Sequence, residues 1–174
     1  MPLFEFEGKR PTVHPEAFVA PTATLIGDVT VEAGASIWYG VVLRADICRI
    51  IVRERANIQD NSVVHGGPDT VVEIAAGATV AHSCVMHGGR LGEKSILANN
   101  STMLDEARVG DGTMIAAGST VAANAEIPDG VLAAGAPAVV KRPIAGTPAE
   151  FWVEANSAYY AELADRHAAG LTAL

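Results

Sequence analysis

Aliphatic residues recur at every sixth position along most of this chain. Leu91, Leu97, Met103, Val109, Ile115, Val121 and Ile127 hold the spacing without a break. The same phase runs upstream through Val19, Leu25, Val31, Ile37 and Leu43, then through Val52, Ile58 and Val64, then through Ile74, Val80 and Met86. Three short irregularities separate these blocks. Neither a helix nor an ordinary strand repeats at that interval. From Leu97 onward a small residue stands two positions before each large one: Ser95, Ser101, Ala107, Thr113, Ser119 and Ala125. Two phases constrained together predict a parallel β-helix. Each hexad is a short strand, and three strands close a triangular coil of about 18 residues, with large side chains inside and small ones in the corners. Coils stack at the ~4.8 Å strand separation and supply each other's backbone hydrogen bonds, so a lone coil is not stable. Gly34, Gly77 and Gly110 suit tight corners. The period leaves the hand open, and right-handed crossovers are the general rule for parallel strands.

The repeat ends near Ala136-Pro137. Thr147-Pro148-Ala149-Glu150 then reads as a capping box with proline at the first helical position, and Gly170 suits the far end. Phe151, Trp152, Ala155, Tyr159 and Leu163 give this helix an apolar side, expected to pack back on the prism. The predicted organisation is a β-helix over residues 1–140, followed by a linker and C-terminal helix over 141–174.

Composition narrows the classes of function. With 49% apolar residues and only 18% charged ones, a core is available and disorder is not expected. Aromatics supply 5% of the chain, so aliphatic residues must fill that core. The net charge of -8 argues against nucleic acid, which is bound through clustered Lys and Arg. No stretch approaches the ~20 apolar residues of a membrane span, and the opening Met1-Pro2-Leu3-Phe4-Glu5 lacks signal-peptide character, so no membrane partner and a cytoplasmic location are expected. Cys48 and Cys84 are too few for a disulfide scaffold and are expected to be free thiols.

Three of the five histidines, His65, His82 and His87, fall in one short stretch. His65 and His87 each follow an inward aliphatic position, Val64 and Met86, so their side chains should project outward. Their separation is one coil plus the excess carried by the loop near Gly66-Gly67-Pro68-Asp69, which stacks one above the other. His82 belongs to the hexad of Val80 and lies on a different face of the prism. Coordination of one ion by all three therefore requires the face of one subunit to meet a different face of its neighbour, and a cyclic trimer satisfies that three times. Three imidazoles with a fourth position open is the arrangement of a catalytic zinc, whose water is acidified to a pKa of about 7. Cys84 occupies a corner phase and reads as an inward-facing small residue.

Val42-Leu43-Arg44-Ala45-Asp46, Asn57-Ile58-Gln59-Asp60, Val64-His65-Gly66 and Ala81-His82-Ser83-Cys84-Val85-Met86-His87-Gly88 together resemble the signature of the gamma-class carbonic anhydrases, over nearly the whole chain. The resemblance to hexapeptide-repeat proteins implies the left hand for the β-helix. It further implies a homotrimer with Zn2+ or Fe2+ between subunits, His65 and His87 coming from one subunit and His82 from the next. Gln59 and Asn57 would be the catalytic side chains, Gln59 hydrogen-bonding near a metal-bound hydroxide or bicarbonate and Asn57 standing behind it or forming a ladder between coils. Arg44, Asp46 and Asp60 would form interface ion pairs. Two features depart from the family: no counterpart of its proton-carrying glutamates is found, and Ala98-Asn99-Asn100 replaces a Gly-Met-Gly-like stretch. Asn99 reads either as a pocket-wall donor or as a turn asparagine.

The leading expectation is reversible hydration of CO2 to bicarbonate, a lyase activity. A non-catalytic relative that keeps the metal for assembly or siderophore binding is the second. A hexapeptide acyltransferase, using one histidine and coenzyme A, is the third, although no lysine- or arginine-rich cleft for the coenzyme stands out.

Overall fold

The computed structural model describes residues 2–173. They form a parallel β-solenoid with a single C-terminal helix, the left-handed β-helix of hexapeptide-repeat proteins. On one face, strands Phe18–Val19, Ser36–Ile37, Asn57–Ile58, Thr79–Val80, Ile96–Leu97, Met114–Ile115 and Val131–Gly135 stack in sequence order, all parallel. In the regular region the partner of each residue lies one coil on, as in Ile96↔Met114 and Thr102↔Thr120. Leu25, Ile37, Leu43, Ile58, Ile74, Val80, Met86, Leu97, Met103, Ile115 and Val121 are completely buried along the axis of the prism. Parallel strands demand this, because each is too short to bury apolar surface except by stacking on its neighbours.

The corners have a chemistry of their own. Gly34, Arg55, Gly77, Lys94, Gly112 and Gly130 repeat at one corner, all with positive φ. Gly40, Asn61, Ser83, Asn100 and Gly118 repeat at a second, in the same conformation. Left-handed backbone costs a non-glycine residue roughly 1–2 kcal/mol. Here it turns the chain sharply enough for Lys94 N to reach Ala76 O and Asn100 N to reach His82 O, both at 2.9 Å. The small residues do more than fit. Thr113 N donates to Ser95 Oγ and Ser119 N to Ser101 Oγ, while those hydroxyls donate onward to the carbonyls of Gly110 and Ala116. Hydroxyl ladders thus satisfy buried backbone groups where the strand ladder turns away.

The three irregularities have distinct structural forms. The first lies inside the long strand Val42–Val52, whose register against Thr24–Val31 shifts between Gly27 and Val29. The second is the loop between His65 and Val71, with Asp69 at positive φ. The third shortens a coil by one residue at Gly88-Gly89. Both have positive φ, and a Cβ at Gly89 would collide with the carbonyl of Ala107. Only glycine allows the coil to close early there.

The parallel stack ends with Val131–Gly135, and the chain reverses at Ala136-Pro137, where the repeat stops in the sequence. Ala138–Pro143 folds back antiparallel on Val131–Gly135 and caps that face of the stack. Helix α1, Pro148–Gly170, follows, with the Thr147 hydroxyl accepting from Ala149 N and Pro148 in the first turn, as the capping sequence predicts. Glu150 accepts from Gly146 N, one residue earlier than a standard box. The predicted apolar side is not the buried one: Phe151, Trp152 and Tyr159 are exposed, Trp152 at 52%. Val153, Asn156 and Ala164 are buried instead. Val153 packs with Ile96 and Ile144, and Asn156 Nδ2 donates to Thr79 Oγ1 at 2.6 Å. Near the helix end, the His167 ring sits 5.0 Å from Trp38 and its Nδ1 bonds the Tyr39 hydroxyl at 2.8 Å. One buried hydrogen bond and one aromatic cluster set the rotation of the helix, and its aromatic count misleads.

Candidate functional site

His65 and His87 stand opposite one another in paired strands, Val63–His65 and Val85–His87. The excess residues of the loop after Gly66 bring them into register despite the irregular spacing. Each ring is held by a carboxylate: His65 Nε2 lies 3.0 Å from Asp46 Oδ1, and His87 Nδ1 lies 2.8 Å from Asp105 Oδ1. An ionised carboxylate only accepts, so these two nitrogens carry the protons. The remaining nitrogens, His65 Nδ1 and His87 Nε2, therefore present lone pairs to one another across 3.2 Å. Two facing lone pairs repel unless a proton or a cation lies between them. Asp46 is also paired with Arg44. Burial would raise its carboxyl, but the hydrogen bonds from Arg44 and His65 outweigh that and hold it below the ordinary value.

His82 occupies the other predicted face. Its Nδ1 lies 3.0 Å from Asp60 Oδ2, which fixes the proton on Nδ1 and leaves Nε2 as an acceptor. The Tyr160 hydroxyl, from α1, approaches Nε2 at a long 3.4 Å. Burial, with the charge of Asp60 and the neighbouring Tyr159, pushes the Tyr160 phenol up, so it stays neutral. Within one chain Asp60 is engaged by His82, apart from the Arg44–Asp46 pair.

His82 opens on a cavity of about 330 Å³ between the prism wall and α1, lined by Gln59, His82, Asn99, Trp152, Asn156 and Tyr160 among others. Gln59 is buried in its wall, not exposed on the solenoid surface. Its Nε2 donates to Asn57 Oδ1, and Asn57 Nδ2 donates to Thr79 Oγ1, both at 2.9 Å. Exposed Asn99 forms the rim. A larger groove of about 1090 Å³ runs between the first coils and the end of α1, but the histidines that reach it, His14 and His167, are committed to Glu16 N and to Tyr39. Volume and chemistry disagree here; the smaller cavity holds the convergent polar groups.

Cys84 points into the prism as its phase predicts, within 3.1 Å of the Ala98 carbonyl, and burial pushes its thiol up to about 11. Among the described residues of one chain, no group of three His, Cys, Asp or Glu side chains comes together to hold an ion. The zinc centre predicted from the three histidines is thus not assembled within a chain. Sequence reasoning missed Asp105, Thr79, Asn156 and Tyr160. Asp105 was findable, one full coil after His87. The other three depend on where the helix lands.

No protein-family model matches the chain. It is 39% identical over 171 residues to the carnitine operon protein CaiE of Citrobacter koseri, spanning 98% of this chain and 86% of that protein. Among solved structures, a hexapeptide transferase family protein from Anaplasma phagocytophilum is 38% identical with a TM-score of 0.88, covering 94% of this chain and 96% of the other. A Bacillus cereus protein described as a candidate acetyltransferase is 30% identical with a TM-score of 0.90, covering 95% of each. These descriptions overturn the expected carbonic anhydrase: the relatives are described as transferases or as an operon protein, none as a lyase acting on CO2. The motif resemblance carries over the β-helix fold and not that activity. The chain belongs to the hexapeptide-repeat family of left-handed β-helix proteins that includes CaiE.

Proposed function

We propose that the protein is an acyltransferase, in which His82 is the general base for transfer of an acyl group from a coenzyme A thioester. The observation that carries this reading is the Asp60–His82 pair: an imidazole whose proton-bearing Nδ1 is fixed by a carboxylate 3.0 Å away and whose acceptor Nε2, met within the chain by the Tyr160 hydroxyl at a long 3.4 Å, faces a cavity. That is the geometry of a positioned base, which typically contributes 10²–10⁴-fold. The transferase descriptions of the Anaplasma and Bacillus relatives support it. The test is release of free thiol from acetyl coenzyme A in the presence of a panel of small amines and alcohols. The expected result is turnover with at least one acceptor, falling about 10²–10⁴-fold in His82→Ala. Release at the uncatalysed rate across the panel overturns the reading.

A second reading rests on the facing lone pairs of His65 and His87. A divalent metal ion shared by these two rings and by His82 of a neighbouring copy would remove their repulsion. Asp46 and Asp105 would then act as the carboxylates that orient ligating imidazoles. In this reading the ion ties a homotrimer together. Metal content and light scattering with and without a chelator test it: an unchanged, metal-free trimer removes it. The two readings compete for His82, so acyl transfer that survives chelation separates them. Two buried free thiols, Cys48 and Cys84, favour a reducing, cytoplasmic setting.

A further inference from the structure

The cavity between the prism and α1 has a wall whose polarity is set from behind. Asn156 on the helix and Asn57 on the prism both donate to Thr79 Oγ1. Because the Asn57 amide turns its NH2 toward Thr79, its Oδ1 faces Gln59. It takes the Gln59 Nε2 proton at 2.9 Å. Gln59 is 3% exposed, and its amide nitrogen is taken up by this bond to Asn57. Its carbonyl oxygen accepts no hydrogen bond from the protein, and among the described residues no buried side-chain polar atom lacks a partner. That oxygen therefore opens on the cavity. The lining contains no lysine or arginine. It offers instead the Gln59 carbonyl, the acceptor nitrogen of His82 and the aromatic faces of Trp152 and Tyr160.

We infer that Gln59 is a specificity-determining residue that selects a primary amine as the acyl acceptor, and that Asn57, Thr79 and Asn156 are positioning residues that keep its carbonyl turned to the cavity. The inference rests on the acyl-transfer reading for its chemistry. A fixed acceptor oxygen favours a donor and rejects an anion, and a wall without cations suits a positively charged group before it loses its proton. The bound ammonium first gives one proton to solvent; in the transfer step one N–H of the neutral amine hydrogen-bonds the Gln59 carbonyl while His82 Nε2 takes the other proton. The nitrogen attacks the thioester carbonyl, the C–N bond forms and the C–S bond breaks. His82 returns the proton to the departing thiolate, leaving an amide and free coenzyme.

Calorimetric titration of the full-length protein, without any acyl donor, with benzylamine and with benzyltrimethylammonium tests the selection. Both probes carry one positive charge and one phenyl ring at neutral pH, and only the first has N–H donors. The expected result is at least a tenfold preference for benzylamine, abolished in Gln59→Leu and reduced in Asn156→Ala. Equal or tighter binding of benzyltrimethylammonium by the unaltered protein would instead mark an aromatic cation site and overturns the inference. So does a preference that persists in folded Gln59→Leu. Since binding is read without turnover, a protein with no transferase activity can still pass, and an active transferase can still fail.

Discussion

The prism wall and the seam beneath α1 are built on different physical logics. In the wall every strand meets a copy of the same environment one coil away, so a large aliphatic at one phase and a small or hydroxyl residue at another suffice. In the seam nothing repeats. Asn156 reaches Thr79, Tyr160 reaches His82, and His167 lodges against Trp38 and Tyr39, each contact made once. The wall is redundant and cooperative; the seam is unique and carries the candidate chemistry. The histidines divide along the same line. His65 and His87 face each other because the wall stacks them, whereas His82 gains a cavity only because a helix covers it.

This contrast breaks if the two regions respond alike to comparable lesions. Leu97→Ala, in the fully buried axis of the prism, is expected to destabilise by about 2–5 kcal/mol and to lower protection of every coil together, read by urea unfolding and amide hydrogen exchange. Raising the pH probes the wall without mutation. The Cys84 thiol stays neutral in the fold up to about 11, while in the unfolded chain it ionises from about 9, so stability should fall as pH rises through that window. The loss is about 2–3 kcal/mol, and Cys84→Ala should flatten that part of the profile. Asn156→Ala should cost about 1–3 kcal/mol and should strip exchange protection from α1 while leaving the coils protected. An equal loss of protection in coils and helix would show that the seam is no independent unit. Phe151→Ala should change stability by less than about 0.5 kcal/mol, because that ring is 64% exposed. A larger cost would restore the predicted packing face of the helix.

The sequence made the wall legible because hexads are a local signal: Leu25 to Ile127 could be placed inside without any tertiary knowledge. The same phase put His65 above His87 and Cys84 within the prism. Gln59 and His82 follow the paired strands Asn57–Ile58 and Thr79–Val80, and both line the cavity. Helix α1 was legible at its start, where Thr147 and Pro148 act through neighbours in the chain. Its rotation was not. Phe151, Trp152 and Tyr159 look like a packing face, yet the seam selects Val153, Asn156 and Ala164, small enough to approach the wall closely. The activity was misread for a related reason. The motif resemblance was read as activity, whereas relatives described as transferases share the architecture at 30–38% identity. A motif tied to a scaffold reports the scaffold first.

The antiparallel strand Ala138–Pro143 has a consequence for the molecule's behaviour in a crowded solution. A stack of parallel strands ends in a row of unpaired backbone groups, open to another chain and hence to fibre growth. On one face of the prism the last coil is covered by a strand running the wrong way for the repeat to continue. Its outer edge carries exposed Lys141 and Arg142 and ends in Pro143, which has no N–H to offer. Charge and proline are the ordinary means of blunting an edge strand. By folding back on itself, the chain meets the hazard of a repetitive architecture, endless elongation, on the face where its last parallel strand lies.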